Sequence, residues 1–207
     1  MNPREMPRHA WIGLIFFLAA FQFVIALIVA ETRYPGYNAG ANYISDLGAW
    51  AHPSAIVFNS SIIFFGALIV TGAWLMDREW TFRLVPGMFV LAGIAAIGVG
   101  IFNETVEPAH SIIALLAFLL SNLAVIVIGR YLRPPMSYVS YALGLIGLAC
   151  VVLGMGFNVD LSLGAGGMER LFVYPVFGWL IAYGGALMAS RDIITAKRRD
   201  ALSSQSS

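Results

Sequence analysis

The sequence predicts an all-α polytopic membrane protein: a bundle of six transmembrane helices with both termini in the cytoplasm. Three observations predict it. Six apolar runs have membrane-spanning length, charge is nearly absent inside them, and Lys and Arg gather in alternate loops. Of 207 residues, 59% are hydrophobic and 11% charged, whereas soluble domains average roughly 45–50% and about 25%. A helix rises about 1.5 Å per residue, so a hydrocarbon core of about 30 Å takes roughly 20 apolar residues.

The first run, residues 10–30, holds Gln22 as its one strongly polar residue. It exceeds the ~7–15 residues of a signal-peptide core, and the chain then runs into Glu31-Thr32-Arg33, so it reads as a retained span. The second span, 54–76, carries Asn59, Ser60 and Ser61 near its start, the two serines expected to satisfy backbone carbonyls. The third, 84–102, repeats small residues at Ala92, Ala96 and Gly100. The fourth, 108–129, opens on Pro108 and carries Asn122; the fifth, 138–157, holds the single cysteine, Cys150. The sixth, 171–189, is preceded by a glycine-rich turn and repeats small residues at Ala182, Ala186 and Ser190. Small residues four apart let helices approach closely in lipid. Strands are a poor alternative, because the runs do not alternate in polarity and an open sheet leaves edge groups unpaired in lipid.

Of 12 Lys and Arg residues, only Arg33 and Arg170 fall in the loops after odd-numbered spans. Arg4, Arg8, Arg78, Arg83, Arg130, Arg133, Arg191, Lys197, Arg198 and Arg199 lie on the other side, which this bias places in the cytoplasm. Trp11, Trp74, Trp80, Tyr131 and Tyr138 fall at the inner ends, and Tyr34, Tyr37, Tyr43, Trp50 and Tyr174 at the outer. The expected organisation is a cytoplasmic N-terminus at 1–9, a transmembrane domain at 10–190 and a disordered cytoplasmic tail at 191–207, in the plasma membrane. The bilayer is the expected partner; a net charge of +1 gives nucleic acid no purchase.

Polar groups gather on the outer side. The first loop, 31–53, is too long for a simple connector, and its Ile44-Ser-Asp-Leu stretch reads as a short interfacial helix anchored by Trp50. Asp46 either caps that helix or bonds a turn. Glu107-Pro-Ala-His110 puts a carboxylate and an imidazole three apart, a metal-ligand spacing on a helix. With His52 and Glu104 or Asp46 it outlines a weak zinc or iron candidate formed by His52, His110 and Glu107. The structural alternative is a helix start, with Pro108 in the first position and Glu107 complementing the positive helix end. Leu163-Gly-Ala-Gly-Gly-Met-Glu-Arg170 reads either as a glycine-rich turn feeding a helix N-terminus, where an arginine suits an anion such as a lipid phosphate, or as a flexible loop. In a structural reading, Arg170 pairs with Glu107, Glu104 or Asp46. No ionisable residue lies mid-membrane, which disfavours ion-coupled transport.

Several of these residues resemble a known family. Ile44-Ser-Asp-Leu-Gly48, Phe58-Asn59, His110, Glu169-Arg170, Pro175 and Trp179 resemble the prokaryotic membrane family termed domain of unknown function 998, over roughly residues 8–192. The resemblance implies a six-span bundle in an archaeal or bacterial membrane and carries no catalytic role.

The leading functional expectation is an outer-facing polar pocket for a lipid headgroup or small molecule, with Arg170, Glu169, Asn59, Asp46 and His110 as binding residues. The first alternative is a membrane-embedded lipid-modifying hydrolase or transferase. It would use His110, His52, Asp46 or Glu107 as base, acid or metal ligand. The second is a non-catalytic subunit of a membrane complex.

Overall fold

A computed structural model describes residues 6–77 and 83–189, and these form six long helices. They are α1 (Arg8–Thr32), α2 (Ala55–Asp77), α3 (Leu84–Ile101), α4 (Ala109–Ile128), α5 (Met136–Val151) and α6 (Gly164–Ala189). All six are long and apolar enough to cross a membrane. No strand occurs among the described residues. Arg4, Arg78, Trp80, Ser190, Arg191, Lys197, Arg198, Arg199 and the expected tail lie outside the described residues.

Each helix packs on its sequence neighbours, and α1 returns to α6, so the six close into a ring; α4 also touches α6. Bulky apolar side chains cover the outside. Phe21, Ile25, Ile28, Phe64, Leu91, Ile94, Ile112, Leu116 and Leu145 are all exposed, a coat that lipid solvates and water would not. Phe16, Phe89, Trp179 and Tyr183 fill one part of the interior, with Trp179 stacked 4.6 Å from Tyr183 and 5.9 Å from Phe89.

The few polar side chains inside the bundle tie helices together. The Gln22 amide donates to Ser61 O, joining α1 to α2. The Trp179 indole donates to Ser140 Oγ at 2.7 Å, joining α6 to α5. Pro175 has no N–H to give Leu171 O; beside that gap, Asn122 on α4 donates to Phe172 O at 2.9 Å. Ser60 and Ser61 bond carbonyls of their own helix, as expected.

The small-residue stripes need correcting. The close approaches are made by Gly66 against Gly93 and by Gly13 against Gly184. A Cβ on Gly66 would lie 2.4 Å from Gly93 O, and one on Gly13 would lie 2.5 Å from Gly184 O. Ala182 is exposed, since the α6 seam runs through Tyr183, Gly184 and Leu187. On α3, Gly100 does pack against α2, but Ala92 and Ala96 line an internal cleft.

The helices start and stop within about two residues of the predicted spans, taking the Val152–Gly156 turn together with α5, except that α6 begins seven residues earlier, at Gly164 rather than Leu171. Gly164-Ala-Gly-Gly, expected as a loop, is the first turn of the helix. The glycines are required by proximity: the 39–42 backbone lies so close that a Cβ on Gly166 would sit 1.8 Å from Asn42 O. The fifth span also ends differently. Its last turn, Val152–Gly156, widens into a π-turn.

Candidate functional site

The loop between α1 and α2 folds down onto the end of the ring. It is fastened at several points. The first is apolar: Leu47 is fully buried and Ile44 nearly so. The second is a backbone clasp, in which Gly166 N–H donates to Gly40 O at 2.9 Å and Gly167 N–H donates to the same oxygen. Helix N-termini need acceptors for their unpaired amides, and Gly40 supplies one.

The third fastening is Glu169. Its side chain, 6% exposed, accepts the backbone N–H groups of Ile44 and Ser45. The fourth is Arg170. Its guanidinium donates to Glu31 at 2.7 Å, the Tyr37 hydroxyl at 2.9 Å, Ala39 O at 2.8 Å and Gly166 O at 3.0 Å. Glu31 is therefore the mate of Arg170, in place of Glu107, Glu104 or Asp46. The Tyr37 phenol takes the Arg170 bond and passes its own hydrogen to Tyr43 O. Burial pushes its pKa up to about 12, outweighing the pull of Arg170, so the phenol keeps that hydrogen.

Ile44-Ser-Asp-Leu-Gly48 is thus a clip. Ser45–Gly48 forms one 3-10 turn, with Trp50 exposed beside it. Asp46 makes no N-cap bond; its Oδ2 accepts Tyr43 N–H at 2.9 Å and the Asn42 amide at 3.2 Å, the turn-bonding alternative. Asn59 donates to Gly48 O at 2.9 Å from within α2. His52 stacks on Tyr34 with ring centroids 3.7 Å apart.

Beside the clip lies a cavity of about 470 Å3, between α4, the end of α5 and the start of α6. Glu104, Glu107, His110, Asp160 and Glu169 contribute its polar lining, with Met155, Met168 and Phe172 among the apolar walls. Of the expected site residues, Glu107, His110 and Glu169 line it. Asp46 reaches Glu104 at its edge, while His52, Asn59 and Arg170 do not line it. Glu107 precedes α4 and accepts the Ser111 hydroxyl at 2.8 Å. It therefore does not share a helical face with His110, because Pro108 is the N-cap and the helix starts at Ala109. Among the described residues no three His, Cys, Asp or Glu side chains converge as a metal-ion site.

His110 is 5% exposed. Its Nδ1 lies 2.8 Å from Phe102 O, and a carbonyl only accepts, so Nδ1 carries the hydrogen. Nε2 makes no hydrogen bond among the described residues. Glu104 was weighed in the sequence as an extra metal ligand and as a mate for Arg170, and it is the most perturbed group of the connecting loops. Burial first, then contact with Asp46 and the charges of Asp46, Glu169 and Glu107, raise its pKa from an ordinary 4.5 to about 8. Asp46 is already held by two donors, so the proton that lets two carboxyls bond sits on Glu104.

A pH dependence follows. Between about 4.5 and about 8 the folded protein holds a Glu104 proton that the unfolded chain has lost. Stability therefore falls as pH rises through that window. Unfolding in detergent across this range should show a steeper loss for the wild type than for Glu104→Gln, which mimics the protonated carboxyl. Parallel curves would place the proton elsewhere.

A second, narrow space of about 80 Å3 opens inside the ring, lined by apolar side chains including Phe65, Ala92, Ala96 and Ala117. The two spaces share Ser45, His110, Ala114, Phe118 and Glu169 as a common wall.

Fold and cavity define a polytopic helical-bundle membrane protein with a hollow, acid-lined end. The model of the family "Protein of unknown function (DUF998)" matches residues 9–186. The chain belongs to that family. No curated protein and no solved structure matches it.

Proposed function

We propose that this protein binds a small polar or amphiphilic ligand, taken up at the outer face of the plasma membrane, in the cavity between α4, α5 and α6. The observation that carries this reading is the cavity itself. At about 470 Å3 it falls in the ~300–1,000 Å3 range of small-molecule sites, and it has the usual mix of apolar walls and a few converging polar groups. Both termini are cytoplasmic in this reading, so the clip and the cavity face outward. His110 and the carboxylates orient the ligand, while Arg170 and Asn59 hold the loop that forms one wall.

Access and side are tested together by labelling. In a Cys150→Ala background, Ser111→Cys places the only thiol on the cavity wall. A membrane-impermeant maleimide should label it in intact cells, and prior Ala165→Trp should slow the labelling. Labelling confined to inverted vesicles would reverse the orientation, and no labelling from either side would close the cavity to ligands.

A further inference from the structure

We infer that the ligand is a cationic amphiphile, an amine whose head sits among Glu104, Glu107, Asp160 and Glu169 and whose apolar end enters the cleft inside the ring. This rests on the ligand-binding reading above and specifies it.

The charge argument comes from the lining. No Lys or Arg lines either space among the described residues, whereas four carboxyl groups line the larger one. An anionic head meets no cation there among the described residues. An ammonium brings three donors and no acceptor, and the wall is short of donors. Oε2 of Glu104 is buried without a hydrogen-bond partner. His110 supplies the independent sign of a missing donor. Its ring is more than nine-tenths buried and lines both spaces, and with Nδ1 bonded to Phe102 O, Nε2 has no partner. An amine at the junction satisfies that lone pair.

The chain argument comes from the cleft. Small side chains keep it open where larger ones would fill it: Ala92, Gly93 and Ala96 on α3 face Ala114 and Ala117 on α4. A dry apolar cavity of about 150 Å3 admits a benzene ring, so a space of about 80 Å3 takes a chain end of a few carbons. The shared wall at His110 and Glu169 puts head and tail sites in contact, so one molecule spans both.

The test is calorimetric titration of the protein in uncharged nanodiscs with hexylamine, hexanoate and ethylamine. Hexylamine should bind saturably and at least about tenfold more tightly than hexanoate. Filling the cleft with Ala96→Phe should weaken hexylamine about tenfold and leave ethylamine unchanged; both proteins face the same bilayer, so partitioning cancels. Ala117→Leu serves the same purpose should Ala96→Phe not fold. Glu107→Gln combined with Asp160→Asn, both on the wall of the larger cavity, should weaken both amines. Equal binding of hexanoate and hexylamine overturns the charge assignment. Hexylamine unaffected by a filled cleft overturns the chain assignment while leaving the cavity reading intact. No binding of any of the three, together with an unlabelled cavity thiol, overturns both.

Discussion

Gly166→Ala is expected to lever the α1–α2 loop off the bundle and to lower the unfolding free energy by about 3 kcal/mol, the upper part of the range for overpacking. The added methyl would lie 1.8 Å from Asn42 O and 2.6 Å from Ala39 O. Both are backbone atoms, so no rotamer change relieves the clash. Either the 39–42 segment or the first turn of α6 must move, and moving either opens the clasp at Gly40. Trypsin should then cut faster at exposed Arg33. Gly178→Ala on the same helix is the control: its Cβ meets nothing within 4 Å, and alanine favours helix by up to about 1 kcal/mol. If the two variants melt alike, the close approach at Gly166 is not what holds the loop.

Arg170→Ala comes next in size. Fully buried ion pairs cost ~3–5 kcal/mol to break; here the side chains of Arg170 and Glu31 are 13% and 31% exposed, which brings the expectation to about 2–3 kcal/mol. The loss has several parts. Glu31 loses the cation that pairs with it, Ala39 O and Gly166 O lose their donors, and the Tyr37 ring, 5.7 Å from the guanidinium, loses its cation. Arg170→Lys separates charge from geometry. An ammonium can still answer Glu31 but cannot reach four acceptors in one plane, so its melting temperature should fall between those of wild type and Arg170→Ala. A lysine variant as stable as wild type would reduce the site to simple charge pairing.

The membrane-spanning architecture was legible because its cause is local. A run of twenty apolar residues has few ways to satisfy its backbone in lipid other than a helix, and each run states its own ends within a turn. The start of α6 was not legible, because glycine reads as a helix breaker until one sees what presses on it. Its reason lies at residues 39–42, far away in the chain. The same distance hid the bond from Arg170 to Glu31. Sequence gathered several acids near Arg170 on one side but could not rank them as partners, and the one it pairs with lies in the last turn of the first helix.

The site was half legible. Glu107, His110 and Glu169 were named from their polarity at one end of the spans, and they share a cavity. His52 and Asn59 carried the same signal, yet one stacks on Tyr34 and the other holds Gly48. Polarity alone does not separate a residue that meets a ligand from one that fastens a loop. The apolar cleft left almost no trace. Ala92 and Ala96 looked like a packing seam, and small residues beside an empty space have the same spelling as small residues beside another helix.

The ring closes between its first and last helices, and this has a bearing on biogenesis. Insertion proceeds from the N-terminus, so the loop that follows α1 emerges long before Gly166, Glu169 and Arg170 exist to receive it. Until the ribosome has delivered the sixth helix, Gly40 O has no donors and Glu31 no cation. A chain arrested after five spans would leave that rim unfinished, which makes completion of translation the step that closes this end of the bundle.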